Sequence, residues 1–184
     1  LELFVKQGYF NTNVPDISKA SRCSVGSIYH HFLNKEEIAD QIYRDGIKQF
    51  RKALSQQIDT KDDLEKTVKT IVITFLNFAE AHELLARYLW LSRHIEFLSK
   101  DVSKPTTVGF DKLGRKLTVM IKNAERNGDI PQLKAEVIWS ALFGIPLSYT
   151  RDWLDGYTSE KPTTVANIIA EASWGALSGV KSNS

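Results

Sequence analysis

The segment 24–38 has the sequence SVGSIYHHFLNKEEI. Its first eight residues place two hydroxyls, a phenol and two adjacent imidazoles within about two turns of a predicted helix. Side chains of these types could bind a metal ion, move protons or form hydrogen bonds with nucleic acid. A metal site needs further histidine, cysteine or carboxylate ligands at suitable spacing. The remaining histidines, His82 and His94, have only Glu83 and Glu96 close by in sequence. We therefore expect no metal ion.

Catalytic motifs with a known mechanism are absent from the sequence. It contains no G-x-S-x-G, P-loop, Rossmann glycine cluster or H-E-x-x-H. We therefore predict that the protein is not an enzyme and binds no cofactor. An enzyme built on a helical body stays as a remote alternative.

Capping residues predict the helices that position the polar cluster. Ser24 can cap a short helix, and Asn34 with Glu37 resembles a capping box for the long helix that follows. Upstream, Thr12 can cap another short helix, which tolerates Pro15 in its first turn. Two short helices joined by the tight turn SRCS predict a helix-turn-helix unit.

The second helix of such a unit enters the major groove of DNA. Gly26 has no side chain and would allow a close approach, while Ile28 and Phe32, four residues apart, predict the buried face. Hydroxyls and ring nitrogens can bond phosphates or base edges, and a valine can contact a thymine methyl. The outward residues that could do so are Ser24, Val25, Ser27, Tyr29 and His30. His31 could bond a phosphate or anchor the junction between helices.

The same residues carry a family resemblance. GYFNTNVPDISKASRCSVGSIYHHFLNKEEI is similar to the DNA-binding segment of TetR/AcrR regulators, whose pattern is roughly G-(F/Y)-x-x-T-(T/S)-(V/I)-x-D-I-A-x-x-A-G-V-S-x-G-(T/S)-(L/I)-Y-x-(H/Y)-F-x-x-K-E-x-L. The matching positions are Gly8, Thr12, Val14, Asp16, Ile17, Ser24, Gly26, Ser27, Ile28, Tyr29, His31, Phe32, Lys35, Glu36 and Ile38. Arg22 and Cys23 depart from the pattern, and Arg22 stands at a glycine position that calls for a left-handed backbone.

The resemblance implies roles for individual residues and for the whole chain. It implies phosphate contacts from Thr12, Ser24, Tyr29, His31 and Lys35, and places Val25, Gly26, Ser27 and His30 nearer the bases. It further implies a homodimer on a double-stranded operator, a helical body that encloses a small ligand, and roughly a dozen residues of a first helix that are missing here.

Apolar residues at steps of three and four predict an all-α protein. We expect a helix-turn-helix DNA-binding domain over residues 1–53 and, joined by a long helix, a ligand-binding and dimerisation body over 54–184. Helices are predicted over about 61–81, with Thr60 as its cap, 84–98, 110–124, 133–153 with a kink at Pro146, and 164–180. A stop is predicted at Gly128, which can take a left-handed conformation.

The body contains two further sets of candidate residues. Aromatic and polar side chains suited to a cavity for a small apolar or amphipathic effector are Trp90, His94, Trp139, Phe143 and Trp153, although such residues are more often core. Small residues at spacing four in the last helix allow another backbone to come close, and predict a dimer contact at Ala172, Gly175, Ala176 and Gly179.

Composition sets the broad class. A hydrophobic fraction of 42% with 25% charged residues is typical of a globular protein, and a net charge of +2 is too weak to indicate nucleic acid by itself. The single Cys23 suits a reducing cytoplasm and is expected to be a small packing residue, with a redox switch as the alternative. No apolar run is long enough to cross a membrane, so we expect a soluble protein. The family resemblance further implies a bacterial cytoplasmic protein that associates with the nucleoid when bound to DNA. A repressor released by its ligand is the preferred function. An activator or a ligand-independent regulator is the alternative.

Overall fold

The computed structural model describes residues 1–59, 62–92, 98 and 111–179. Every regular element within these ranges is helical, as the apolar spacing predicts. The chain forms two compact units. The first takes its residues from Leu1–Gln49 and Leu84–Gly109, and the second from Phe50–Glu83 and Phe110–Ser184. The predicted division of function at residue 53 stays a prediction.

The first unit begins with α1 (Glu2–Gln7), α2 (Val14–Ser21), α3 (Val25–His31) and α4 (Lys35–Gln57), of which α4 continues into the second unit. The N-cap of α2 is Asn13 and not Thr12. The Asn13 carboxamide oxygen accepts from the Asp16 amide at 2.9 Å, and the Asp16 carboxylate accepts from the Asn13 amide at 3.4 Å. Because this reciprocal pair satisfies two amides at the helix start, the Thr12 hydroxyl is free for another role.

The turn between α2 and α3 has the backbone that its sequence predicts. Arg22 caps the end of α2 in the left-handed region, with φ 57° and ψ 25°. The Cys23 amide donates to the Ser18 carbonyl, and the Ser18 hydroxyl donates to the Cys23 carbonyl. Cys23 itself is exposed, so the expectation that it fills space in a core is wrong. Its thiol instead lies at the surface of the turn that orients α3.

A segment distant in sequence completes the first unit. Helix α6 (Glu83–Ala86) continues as a π-helical turn over Arg87–Leu91. The fully buried Tyr88 donates its hydroxyl to the Ala39 carbonyl of α4 at 2.9 Å, and burial, followed by the Asp40 charge, raises the pKa of this phenol. A Cβ on Gly46 would stand 2.8 Å from a Leu85 methyl. The glycine therefore lets α4 approach this segment closely.

The second unit is built around α5 (Leu64–Ala81), whose buried face is almost entirely apolar. Its N-cap is Asp63, whose carboxylate accepts from the Lys66 amide at 2.8 Å. The predicted cap, Thr60, lies outside the described residues. Phe50, in the second-unit part of α4, packs edge-on against Phe75 and Phe78 of α5.

Four more helical stretches complete the second unit. They are α7 (Asp111–Asn127), α8 (Ala135–Trp139), α9 (Ile145–Leu154) and α10 (Pro162–Ser178). Gly128 ends α7 with φ 80°, as predicted. Pro146 lies in the first turn of α9, and the predicted kink is instead a π-helical turn over Ser140–Gly144 that joins α8 to α9. Helix α10 packs along α5 and forms the most extensive helix pair of this unit.

A contact far apart in sequence fixes the start of α10. Its N-cap, Lys161, provides no side-chain cap, and Pro162 lacks an amide hydrogen. Glu80 of α5 supplies the missing acceptor, because its carboxylate accepts from the Thr163 amide at 3.0 Å and from the Thr163 hydroxyl at 2.7 Å. Within the described part of the chain, no helix is both long and apolar enough to span a membrane.

Candidate nucleic-acid interface

Helix α3 presents nearly all of its surface to solvent. Of the residues of α3, only Ile28 is buried, with 8% of its surface exposed, and Phe32 just after the helix is half-buried. This agrees with the predicted inward face. The predicted outward residues are all exposed: Ser24, Val25, Gly26, Ser27, Tyr29, His30 and His31. A single row of apolar contacts therefore holds a short helix whose other sides are available to a partner.

The N-terminus of α3 is built by Ser24. Its hydroxyl oxygen accepts from the Ser27 amide at 3.1 Å, as the predicted cap requires, and the hydroxyl hydrogen stays available for a phosphate or a base. Exposed amides at a helix N-terminus, together with the helix dipole, favour a negatively charged partner. The first turn of α3 is thus suited to an anionic backbone.

Gly26 has no packing role inside the protein. A Cβ built on it would meet only the Ser24 hydroxyl oxygen, at 3.9 Å, which is an ordinary contact. Its φ lies outside the left-handed region, so backbone strain does not require glycine either. Glycine disfavours a helix by about 1 kcal/mol relative to alanine, so neither packing nor backbone strain within the free protein accounts for a glycine here.

Aromatic and basic side chains extend the exposed surface beyond the first turn of α3. Tyr29 is 51% exposed, and the imidazole rings of His30 and His31 meet edge-on with centroids 5.2 Å apart. The turn before α3 adds the exposed Arg22. Sequence reasoning named Arg22 only as a departure from a pattern. The overlooked feature was a positively charged side chain in the left-handed turn just before the Ser24 cap of α3.

Two predicted phosphate contacts point into the protein instead. Thr12 is fully buried, and its hydroxyl donates to the Gly8 carbonyl at 2.8 Å. The Lys35 ammonium donates to the carbonyls of Tyr9 and Thr12, each at 2.7 Å, and lies 4.2 Å from the centroid of the Tyr9 ring. In this conformation Thr12 offers no side-chain surface to a duplex. Its family pattern reflects a role inside the fold.

The predicted ligand residues that the structure describes are divided between the two units. Trp90 belongs to the first unit, whereas Trp139, Phe143 and Trp153 belong to the second. His94 lies outside the described residues. Trp139 stacks on Phe143 with centroids 5.4 Å apart and lines a cavity of about 200 Å³ between α7 and α8.

A larger cavity in the second unit lies between the end of α4 and α5. Its volume is about 440 Å³, which falls within the usual size of a small-molecule site. Ile73 and Phe78 give it apolar walls, and Gln56, Asn77 and His82 give it polar ones. Sequence reasoning missed these residues, although Phe78 and His82 stand one helical turn apart and their rings lie 4.5 Å from each other.

The predicted dimer contact lies on the exposed side of α10. Ala172, Gly175, Ala176 and Gly179 are all exposed, and the nearby Ile168 is 72% exposed. A Cβ added to Gly175 would find nothing within 4 Å. The opposite side of α10, which includes Ile169 and Leu177, is buried. The helix therefore carries a second face of small and apolar residues with room for another backbone.

Metal-binding groups are not assembled anywhere in the ranges that the structure describes, since no three histidine, cysteine, aspartate or glutamate side chains meet there. The described part of the chain thus offers hydrogen-bonding and shape recognition at α3 and at the α4–α5 cavity.

Comparisons with known proteins agree with this geometry. Residues 1–42 match the family model described as "Bacterial regulatory proteins, tetR family". The chain is 36% identical over 72 residues to the transcriptional repressor KstR2 of Rhodococcus jostii, a match that covers 37% of this chain and 35% of that relative. The chain therefore matches about a third of the length of this curated relative.

Solved structures share the whole fold. A putative TetR family regulator from Shewanella sp. PV-4 aligns with a TM-score of 0.80 and 21% identity, covering 98% of this chain and 94% of that one. FadR from Bacillus subtilis, solved in complex with stearoyl-CoA, aligns with a TM-score of 0.72 and 18% identity over 98% and 95% of the two chains. Identities at this level establish a common fold, with an N-terminal helix-turn-helix and a helical body.

Proposed function

We propose that this chain is a transcriptional regulator of the TetR family, which binds an operator as a homodimer and is released by a small-molecule effector. The family consists of regulators and not of enzymes. The observation that carries the proposal is the exposure of every α3 side chain except Ile28, in a helix preceded by a tight turn. KstR2 is named a repressor, and repression is the activity that we propose here.

The division of labour within the interface follows from side-chain chemistry. Ser24 and the first amides of α3 would hold a phosphate, with Tyr29 and His31 reaching further phosphates and Arg22 adding a charge-assisted contact. Ser27 and His30 would read base edges, and Val25 would contact a thymine methyl. Phosphate contacts set the register of α3, and base contacts set the sequence preference.

The exposed face of α10 is the proposed site of dimerisation. A two-fold pair buries the same patch from each copy, and small residues such as Gly175 and Ala172 allow the two backbones to approach. The two helix-turn-helix units of the dimer, related by this symmetry, would bind half-sites about 34–36 Å apart. The operator should accordingly be a palindrome.

The α4–α5 cavity is the proposed effector site. Apolar walls beside amides and an imidazole suit an amphipathic molecule, and FadR provides a precedent because its structure holds stearoyl-CoA. Helix α4 lines this cavity at Ala53 and Gln56 and also carries Ala39, which the Tyr88 hydroxyl holds in the first unit. A ligand that displaces α4 would in this way change the distance between the two helix-turn-helix units of the dimer. Binding of the effector would then weaken binding of DNA, and binding of DNA would weaken binding of the effector.

Selection of duplexes from a random 30-bp library by the full chain tests the proposal. We expect enrichment of a palindrome whose half-site centres are about one helical turn apart. The enriched duplex should compete far better than a random duplex at the same salt concentration, because only base contacts distinguish them. Failure to enrich any sequence would refute the regulator. Stearoyl-CoA then serves as the effector probe in release from the enriched duplex.

A further inference from the structure

The Lys35 ammonium links the two ends of the helix-turn-helix by hydrogen bonds to the backbone. Lys35 is the first residue of α4, and its two carbonyl acceptors, Tyr9 and Thr12, lie just before the start of α2. These hydrogen bonds span 26 and 23 residues of sequence. The enclosed segment contains all of α2 and α3. One side chain therefore connects the residues that precede α2 to the residue that begins α4.

Thr12 reinforces the same closure from the other side. Its hydroxyl donates to the Gly8 carbonyl at 2.8 Å and lies 3.3 Å from the Leu3 carbonyl in the first turn of α1. Its own carbonyl accepts from Lys35, and the next residue, Asn13, caps α2. The loop between α1 and α2 is held at its carbonyl oxygens by one hydroxyl and one ammonium.

The environment of Lys35 favours this internal role over a phosphate contact. Two of its three ammonium hydrogens are used on carbonyls at 2.7 Å, and the Tyr9 ring adds a cation–π contact at 4.2 Å. Hydrogen bonds from a charged donor are stronger than neutral ones, whereas an exposed ion pair contributes little in water. One hydrogen stays available to another acceptor, but turning the whole ammonium toward a phosphate would leave two carbonyls without this donor.

We infer that Lys35 is a positioning residue, which acts on DNA through the placement of α2 and α3 rather than by touching the duplex. This inference rests on the proposed function, since it concerns how the reading helix is held for the operator. Its consequence is specific. Loss of the Lys35 hydrogen bonds should weaken the contacts with bases, which need a fixed α3. It should affect the sequence-independent contacts with phosphates less.

Lys35→Met tests the inference, because methionine keeps much of the aliphatic stem and removes the ammonium. Affinity should be measured at several salt concentrations for the enriched duplex and for a random duplex. We expect roughly tenfold weaker binding to the enriched duplex, little change on the random one, and the same salt slope as the unsubstituted protein. Lys35→Arg, which restores a cation with several donors, should recover part of the lost selectivity.

A phosphate contact gives the opposite result. In that case both duplexes would bind more weakly by a similar factor, and the salt slope would fall by about 0.9. That pattern would overturn the inference. Lys134→Met removes the same charge from an exposed position at the cap of α8 in the second unit, and provides the control for net charge. If the unsubstituted protein enriches no duplex, the proposed function fails instead.

The unsubstituted protein provides a second test that does not depend on the folding of a variant. A lysine ammonium held by two carbonyls exchanges its hydrogens slowly enough to give a ¹⁵Nζ resonance. We expect such a signal for Lys35 in the free protein, unchanged when the enriched duplex is added. A signal that is absent in the free protein and arises only in the complex would assign Lys35 to a phosphate and refute the inference.

Discussion

Gly26→Ala should separate the stability of the free protein from its affinity for DNA. In the free protein the new methyl would meet only the Ser24 hydroxyl oxygen, at 3.9 Å, so nothing needs to move. Alanine is favoured over glycine within a helix by about 1 kcal/mol. We therefore expect the free energy of unfolding to rise by roughly 0.5–1 kcal/mol and the melting temperature by about 1–4 °C.

Binding to DNA should change in the opposite direction. If α3 lies close to the floor of the major groove, a methyl at residue 26 enters space that is already filled. Overpacking of this kind costs about 1–3 kcal/mol, which corresponds to a dissociation constant roughly 5- to 150-fold higher. Fluorescence anisotropy with the enriched duplex measures this change, and urea unfolding monitored by circular dichroism measures the stability.

Gly144→Ala is the matched control for this experiment. Gly144 lies in the second unit, and a Cβ there meets nothing within 4 Å, so the added methyl is tolerated as it is at Gly26. The control should leave the affinity for the enriched duplex unchanged. If Gly26→Ala binds that duplex as tightly as the unsubstituted protein, α3 does not approach the bases closely at this residue, and the assignment of its first turn to the groove is refuted.

Three further substitutions test other parts of the molecule. Tyr88→Phe removes the buried hydrogen bond to Ala39 and should lower the free energy of unfolding by about 1 kcal/mol, whereas an unchanged urea midpoint would show that this bond contributes nothing. Burial raises the pKa of the Glu80 carboxyl, but the hydrogen bonds from Thr163 and the charge of Lys161 lower it by more, so the pKa lies below its usual value. Glu80→Ala should thus destabilise the protein by about 1–2 kcal/mol at pH 7, a loss that shrinks as the pH falls below the usual carboxyl pKa and the native Glu80 becomes protonated; a constant difference down to acidic pH would contradict this. Gly175→Leu has room to fold and should convert the proposed dimer to a monomer in sedimentation velocity, so a variant that stays dimeric would contradict an interface at α10.

Local sequence signals predicted the helix ends and turns well. The Ser24 cap, the left-handed Arg22 and the left-handed Gly128 each depend on residues within one or two turns, so their physics can be read from a short window. The same local logic placed Ile28 as the inward residue of α3. It erred at Thr12, because the neighbouring Asn13 and Asp16 form a better cap.

Contacts between distant segments could not be predicted in this way. The Tyr88 hydroxyl reaches Ala39 across 49 residues of sequence, and Glu80 caps a helix 83 residues away at Thr163. Nothing in the local pattern of a tyrosine or a glutamate identifies its partner at such a distance. The cavity between α4 and α5 was missed for the same reason, since its walls come from two helices and include ordinary amides and apolar side chains.

The family pattern of the N-terminal segment therefore combines two kinds of constraint, and the structure separates them by a single criterion. Where a residue satisfies a group of the protein itself, as Lys35 does for the carbonyls of Tyr9 and Thr12, the fold accounts for its identity. Where it satisfies nothing inside, as with Gly26, the free protein does not account for its identity, and the proposed contact with DNA would do so. Substitution distinguishes the two in opposite ways, because loss of an inward residue lowers stability and selectivity together. Loss of Gly26 should raise stability while it lowers affinity, a combination that a purely structural role cannot produce.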